Sequence, residues 1–223
     1  MINARLVAYT QPTIAVGASN PEEFISYAAR VSNPSNQNNY DTAEGLLKYC
    51  IRNQHWSIFE MVNAVVEVKA PRDITRQMLR HRSFSFQEFS QRYSDEIEFC
   101  DRELRMQDKA NRQNSISIDD FYNGPNQYIR DCWDEDVKEI VELVKEHYKD
   151  QRKIGVAKEV ARVLLPEGLT LSTLYANGTL RSWMHYLEIR EGHGTQKEHV
   201  ILANKIREVL LPVFPTVLGM KLD

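Results

Sequence analysis

A chain of 223 residues, 42% of them hydrophobic and 26% charged, is long enough to bury a core and has the composition of a globular protein. Its formal net charge of −3 argues against a protein that binds along nucleic acid through an extended basic face. We expect no signal peptide and no membrane association, because no apolar run approaches the length of a membrane span. Three cysteines lie far apart without a Cys-x-x-Cys spacing, which predicts a reducing, cytoplasmic environment and neither a disulfide nor a thiolate metal site.

The first 70 residues alternate between predicted strands and helices. Residues 4–16 are apolar and β-branched enough for an opening strand. Asn20-Pro21 then begins a helix to about Val31, because the amide caps free N–H groups and proline fits the first helical position. A second helix begins near residue 41. Residues 61–70 alternate as a strand with one apolar face. That face consists of Val62, Ala64, Val66 and Val68.

The rest of the chain is mostly helical by its periodicity. Residues 94–124 are acidic and weakly periodic, and we expect a variable surface excursion there. A long amphipathic helix follows over 125–152, with a Trp133 stripe predicted to lie in the core. Other predicted helices are 71–80, 156–165, 179–191 and 195–211, while 170–176 suits a strand or an extended link. The fold class is therefore α+β, with one helix-rich domain over 1–223 and a small, mostly antiparallel sheet.

The segment 80–93 carries the most chemical information. Its basic residues surround a single acid, Glu88, and three hydroxyls. A guanidinium binds a phosphate through two parallel hydrogen bonds, which an ammonium cannot do, so arginines without lysines indicate phosphorylated ligands. If residues 88–92 are extended, Glu88, Ser90 and Arg92 point the same way. The basic residues are Arg80, His81, Arg82 and Arg92, preceded by Arg72 and Arg76, and the hydroxyls belong to Ser83, Ser85 and Ser90.

Two simpler interpretations of this segment stay open. Arg80, His81 and Arg82 could cap the C-terminus of the preceding helix, where the last carbonyls attract cations. The segment could also belong to a non-catalytic binder of phosphate or single-stranded nucleic acid, with phenylalanines as stacking platforms. Those phenylalanines are Phe84, Phe86 and Phe89.

The same residues resemble the motif of the flavin-dependent thymidylate synthases: Arg80-His81-Arg82, seven residues, then Ser90. The longer family pattern also includes Ser85, Glu88 and Arg92-Tyr93. Further matches run through the chain in the family's order, at 28–32, 55–60, 160–166 and Arg181…His185…Arg190. Residues 94–124 and the last dozen match no recognisable motif.

The resemblance implies conversion of dUMP to dTMP, with methylenetetrahydrofolate as carbon donor, FAD as hydride carrier and NADPH as reductant. It also implies a homotetramer with sites at subunit junctions. Transferred residue by residue, dUMP would be held by Gln77, Arg80, Glu88, Ser90, Arg92, Arg162 and Arg190, with its phosphate at the backbone of Phe89, Ser90 and Gln91. FAD would contact Ser57, Arg80, His81, Arg82, Glu88, Thr179, Arg181 and His185, with His55 and Glu60 close to its ring.

Arg190 is the candidate catalytic residue that the resemblance implies. Because a guanidinium stays protonated at neutral pH, we expect it to stabilise an anionic uracil and make C5 nucleophilic. No cysteine has a context that would support the thiolate route to the same product, and a flavoprotein oxidase without methyl transfer is a further alternative. His147, His193 and His199 are predicted at the surface, and no histidine spacing suggests a metal site.

Two departures from the family pattern affect the predicted contacts. Gln87 replaces the asparagine of many relatives, which moves the reach of the amide. Asn177-Gly178-Thr179 differs from the more usual Asn-Ala-Arg, so the flavin contacts of this turn are not fixed by the resemblance.

Overall fold

The structure is a computed structural model that describes residues 2–220. The strands are β1 (Asn3–Tyr9), β2 (Asn63–Pro71), β3 (Ser85–Glu88), β4 (Arg105–Gln107), β5 (Ser115–Ser117) and β6 (Leu171–Thr179). The helices are α1 (Pro21–Ala29), α2 (Ala43–Arg52), α3 (Arg72–Met78), α4 (Ile118–Tyr122), α5 (Gln127–Lys153), α6 (Lys158–Ala161), α7 (Leu180–Glu191), α8 (Lys197–Leu210) and α9 (Pro215–Gly219). Short 3-10 helices include Trp56–Glu60 and Arg162–Leu164. The predicted α+β class is confirmed.

A four-stranded antiparallel sheet in the order β1-β2-β6-β3 positions the site. The predicted apolar face of β2 is confirmed: Val62, Val66 and Val68 are fully buried. Segment 170–176 is a strand and continues to Thr179, because β6 pairs with β2 along its whole length from Leu171 to Thr179. Helices α7 and α8 supply much of the core against this sheet. Their buried residues include Trp183, Tyr186, Leu187, Leu202 and Ile206.

The opening strand is shorter than predicted. β1 ends at Tyr9, and Ile14–Val16 is a 3-10 helix with a fully exposed Ile14. Pro12 explains the difference, since proline has no N–H to donate to a neighbouring strand.

Helix α5 has the predicted length, but its apolar stripe does not join the main core. Only Tyr148 is buried along this helix, in a small separate cluster with Ala161 and Leu165. Ile140 and Leu143 are 47% and 53% exposed. The prediction was wrong because α7 and α8 already cover the sheet where a core helix would pack.

The predicted excursion 94–124 has structure of its own. It contains the β4–β5 hairpin and α4, and Phe99 forms an isolated bridge with Thr170. Over residues 2–220, no helix is both long enough and apolar enough to cross a membrane.

Candidate active site

The central strand β6 brings the predicted site residues together. β3 pairs with β6 from Ser85↔Asn177 to Glu88↔Leu174, and α7 begins directly after β6. The turn 80–84, between α3 and β3, therefore lies beside the first turn of α7. The Ser182 hydroxyl, in that turn of α7, donates to the Ser83 carbonyl at 3.3 Å.

Gly178 permits this close approach. A Cβ built at Gly178 would lie 2.4 Å from the Phe84 ring, a distance that real Cβ atoms do not show. The departure from the family pattern at this turn thus has a packing reason. Thr179 caps α7 by accepting from the Ser182 backbone N–H at 3.2 Å, so its hydroxyl already has a structural role.

A cleft of about 440 Å³ lies along one side of α7, and we call it the α7 cleft. It brings together two of the predicted flavin residues, Arg181 and His185. The Arg181 guanidinium hydrogen-bonds Glu60, a contact that joins α7 to the 3-10 helix Trp56–Glu60. The other residues of the cleft are Trp56, Ser83, Ser182, Met184 and Glu188.

The predicted catalytic residue Arg190 lies in the last turn of α7 and contacts the turn 80–84. Its Nε donates to His81 Nε2 at 2.9 Å, and its Nη2 lies 3.4 Å from the Gln77 carbonyl oxygen. Three residues that sequence reasoning assigned to the site are thus in direct contact. No carboxylate contacts Arg190 in the part of the chain that the structure describes, so its charge is not neutralised internally.

His81 is a neutral acceptor in this contact. Burial, followed by the nearby positive charge of Arg190, lowers the pKa of His81 to about 4. Its ring also lies 5.0 Å from that of Tyr186 in an edge-to-face arrangement. A neutral His81 contributes no charge as a helix cap, which weakens the capping interpretation for this residue.

His199 was predicted at the surface and is instead fully buried. Its Nε2 lies 3.0 Å from the Tyr186 hydroxyl, and its Nδ1 lies 3.1 Å from Gln77 Oε1. Burial lowers the pKa of His199 to about 3, so the imidazole is neutral. A signal was present in the sequence: His199 begins the stripe that continues through Leu202, Ala203, Ile206 and Leu210, all buried on α8.

A second cleft, of about 510 Å³, lies at the end of β3, and we call it the β3 cleft. It is lined by Glu88, Phe89 and Ser90 from the predicted dUMP residues, together with Lys69 and Tyr175. Glu88 Oε1 accepts from the Ser172 hydroxyl at 2.8 Å. The two halves of the predicted site thus face different clefts of one chain.

Residues 88–92 are not extended throughout, so the condition under which Glu88, Ser90 and Arg92 would point the same way is not met. β3 ends at Glu88, and the chain turns so that the Tyr93 N–H bonds the Ser90 carbonyl at 3.1 Å. The Phe89 N–H bonds the Thr173 carbonyl at 2.8 Å and is not free for a phosphate. Gln91 is buried and accepts from Arg72 Nη1 at 2.9 Å.

The arginines divide into two groups. Arg76 pairs with Glu167, and Arg92 pairs with Glu159 at 3.2 Å. Within residues 2–220, the guanidiniums of Arg80, Arg82 and Arg162 have no hydrogen-bond or ion-pair partner. Arg80 and Arg82 are exposed and Arg162 is half-buried. The second group consists of donors that remain free for an anionic ligand.

The nucleic-acid interpretation loses two of its three stacking platforms. Phe84 is only 8% exposed and packs 4.6 Å from Trp183, and Phe86 stacks against Phe84. Of these three phenylalanines, only Phe89 is exposed. Base stacking along a single strand needs several such rings.

The remaining residues considered in the sequence analysis are the three cysteines and those at 55–57. All three cysteines are free, and burial raises the pKa of Cys50 and Cys100, which favours the unreactive thiol. His55 and Ser57 are exposed at the start of the 3-10 helix that carries Glu60.

Free guanidiniums on the turn that leads to Ser83 in the α7 cleft, in a chain with a second cleft of similar size, suit an enzyme that binds phosphorylated, nucleotide-sized ligands. Residues 5–216 match the family described as thymidylate synthase complementing protein. Two curated relatives each cover 97% of this chain and are covered over 97% of their own length. One, from Paramecium bursaria Chlorella virus 1, is named a probable flavin-dependent thymidylate synthase and is 44% identical over 220 residues. The other, from a Synechocystis strain, is named a flavin-dependent thymidylate synthase and is 42% identical over 219 residues.

A solved structure shares the fold. It is a UMP/dUMP methylase from Streptomyces cacaoi bound with 5-Br dUMP, with a TM-score of 0.78 and 27% identity. The similarity covers 98% of this chain and 93% of that one. The chain therefore belongs to the family of flavin-dependent thymidylate synthases.

Proposed function

We propose that this protein methylates dUMP to dTMP, with methylenetetrahydrofolate as carbon donor, FAD as hydride carrier and NADPH as reductant. The observation that carries the proposal is the Arg190–His81–Gln77 contact beside a turn with two free guanidiniums, Arg80 and Arg82. The free cysteines are consistent with a cytoplasmic enzyme.

The chain's own residues suit a flavin dinucleotide. Arg80 and Arg82 offer donors for a diphosphate on the turn that leads to Ser83, which lines the α7 cleft. In the proposal, Arg181 and His185 hold the cofactor inside that cleft, and Ser57, His81, Glu88 and Thr179 complete the contacts. Hydride transfer is the chemistry that a reduced flavin supplies when bound.

Arg190 has the geometry to stabilise an anionic pyrimidine. Its Nε is fixed by His81 and its Nη2 lies 3.4 Å from the Gln77 carbonyl oxygen, which leaves Nη1 and the second N–H of Nη2 for the ligand. Burial lowers the pKa of Arg190 from its usual value, yet a guanidinium remains charged near neutral pH. A fixed positive charge beside N3 and its carbonyl favours the electron density that carbon–carbon bond formation needs at C5. No thiolate adduct is required.

The remaining substrate contacts are assigned to both clefts. Gln77 and Arg80 lie at the end of α3, Glu88 to Arg92 lie beside the β3 cleft, and Arg162 lies in its own 3-10 helix. In the proposal, Ser90, Arg92 and Arg162 bind the phosphate, with the backbone of Phe89, Ser90 and Gln91 nearby.

We also propose a homotetramer whose sites are shared between copies. The α7 and β3 clefts are separate in one chain, so a second copy would have to unite the two sets of residues. Exposed apolar side chains support this arrangement, because a second copy could cover them. They are Ile140 and Leu143 on α5, and Val160, Val163 and Leu164 around Arg162.

The test is a tritium-release assay on dUMP labelled at C5, with FAD, methylenetetrahydrofolate and NADPH. We expect a yellow protein that releases tritium and forms dTMP only when all components are present. Reductant consumption without dTMP would indicate the oxidase, and colourless protein that binds oligonucleotides in a salt-dependent way would indicate the nucleic-acid binder.

A further inference from the structure

A chain of hydrogen bonds passes through the buried His199 and ends at an ion pair. Gln77 Nε2 donates to Gln196 Oε1 at 2.8 Å, and Gln196 Nε2 lies 3.4 Å from Asp73 Oδ2. Arg102 Nη2 bonds the same Asp73 oxygen at 2.7 Å, with both side chains largely buried. On the other side of Gln77 the chain continues to His199 and Tyr186.

The carboxylate at one end determines the direction of every bond in the chain. A carboxylate only accepts, so the Gln196 amide must present its NH₂ to Asp73 and its oxygen to Gln77. Gln77 must then present its NH₂ to Gln196 and its oxygen to His199. His199 consequently carries its proton on Nδ1, and its bare Nε2 accepts from the Tyr186 hydroxyl. Burial raises the pKa of Tyr186, which keeps that hydroxyl protonated as the donor.

We propose that His199 and Tyr186 are positioning residues that fix the orientation of the Gln77 carboxamide for recognition of the pyrimidine nucleotide. This inference rests on the proposed function, because Gln77 is there assigned to dUMP. An amide that can rotate offers a ligand either its oxygen or its NH₂, whereas a fixed amide offers one pattern of donor and acceptor. In the orientation that the Asp73 carboxylate imposes, one N–H and one oxygen lone pair of Gln77 remain for a ligand.

The backbone carbonyl and the side chain of Gln77 are both held by residues outside the turn 80–84. The backbone carbonyl is near Arg190 and the side chain is near His199, so α7 and α8 fix Gln77 from two directions. The Arg102–Asp73 ion pair adds a connection to the 94–124 segment. Pre-organisation of this kind strengthens ligand binding by lowering the cost of ordering the site.

The experiment measures dUMP dissociation constants of flavin-loaded protein by calorimetry, alongside kcat and KM. His199→Leu and Tyr186→Phe should each weaken dUMP binding about two- to tenfold, the loss expected for one hydrogen bond, with kcat at saturating dUMP nearly unchanged. His199→Asn should restore binding, because its amide nitrogen replaces the Nδ1 donor. Tyr40→Phe is the matched control. It also removes one tyrosine hydrogen bond, to the Val16 carbonyl, in a part of the chain remote in sequence from Gln77.

A double-mutant cycle distinguishes positioning from simple destabilisation. In a Gln77→Ala background, His199→Leu should cost no further dUMP affinity, because the group it positions is gone. Additive losses, or failure of His199→Asn to restore binding, would overturn the inference while leaving the proposed function intact. Absence of dUMP binding by the unmodified protein would overturn both. Unchanged affinity in Gln77→Ala would remove the role of Gln77 and the inference with it.

Discussion

The buried neutral His199 should make the stability of the protein fall as the pH is lowered. The imidazole is fully buried in the folded state, where burial lowers its pKa to about 3, while the unfolded chain restores a value near 6.5. A group whose folded pKa is lowered contributes stability above its unfolded pKa, and that contribution is lost as the pH falls below about 6.5.

The magnitude at pH 5.0 depends only weakly on the folded pKa. As long as the folded imidazole stays neutral at that pH, the loss equals the free energy of protonating the unfolded histidine. That is about 2 kcal/mol relative to pH 7.5. The pKa of His81 is lowered to about 4, so the stability that this residue contributes is also lost as the pH falls. Its contribution is smaller, because the ring is only half-buried and solvent screens the charge.

Urea unfolding at pH 7.5 and pH 5.0, at one protein concentration, measures this loss. The variant His199→Leu should lose about 2 kcal/mol less than the unmodified protein over this interval, whatever its stability at pH 7.5. His193, which is exposed on the loop after α7, supplies the control His193→Leu with the unmodified response. An equal loss in His199→Leu and the unmodified protein would refute a buried, neutral His199.

Three further predictions test the reaction and the packing of the site. Arg190→Ala should lower dTMP formation by about 10²-fold or more while flavin is retained, and near-normal turnover would rule out its assigned role. Replacing all three cysteines by alanine should leave tritium release from dUMP, whereas complete loss in a folded protein would restore the thiolate mechanism. Gly178→Ala should destabilise the protein by about 1–3 kcal/mol in urea unfolding, because its Cβ meets the Phe84 ring at 2.4 Å. Gly45→Ala, on α2 with nothing within 4 Å, should instead stabilise by about 0.5–1 kcal/mol, and a similar sign for both glycines would contradict the packing argument.

The elements predicted correctly from the sequence are those with a local pattern of alternation or capping. β2 alternates strictly, and its buried face is the predicted one. α1 begins where predicted, and the Asn20 side chain accepts from the Glu23 N–H at 2.9 Å. The arginine-rich segment was recognised by its resemblance to a family motif, and the ligand contacts assigned to it stay a prediction. The predictions for β2 and α1 succeeded because periodicity and capping depend on neighbours a few residues apart.

The failures concern contacts between distant parts of the chain. The α5 stripe has correct helical spacing, but spacing does not say that α7 and α8 already cover the sheet. His199 was judged by its polar side chain, although its hydrogen-bond partners, Tyr186 and Gln77, make burial tolerable. The turn at residues 91–93 depends on Ser90, whose hydroxyl accepts from the Arg92 N–H and whose carbonyl accepts from the Tyr93 N–H.

The neutral state of the half-buried His81 has a consequence for Arg190. A carboxylate in place of His81 would orient the guanidinium equally well, but it would also neutralise the charge that the ligand requires. A charged imidazole would repel the guanidinium. His81 in its neutral form, with the Gln77 carbonyl nearby, orients Arg190 through acceptors that carry no net charge. The full positive charge of Arg190 therefore remains available to an anionic pyrimidine, and the burial that lowers the pKa of His81 is itself part of how the site favours negative charge on its ligand.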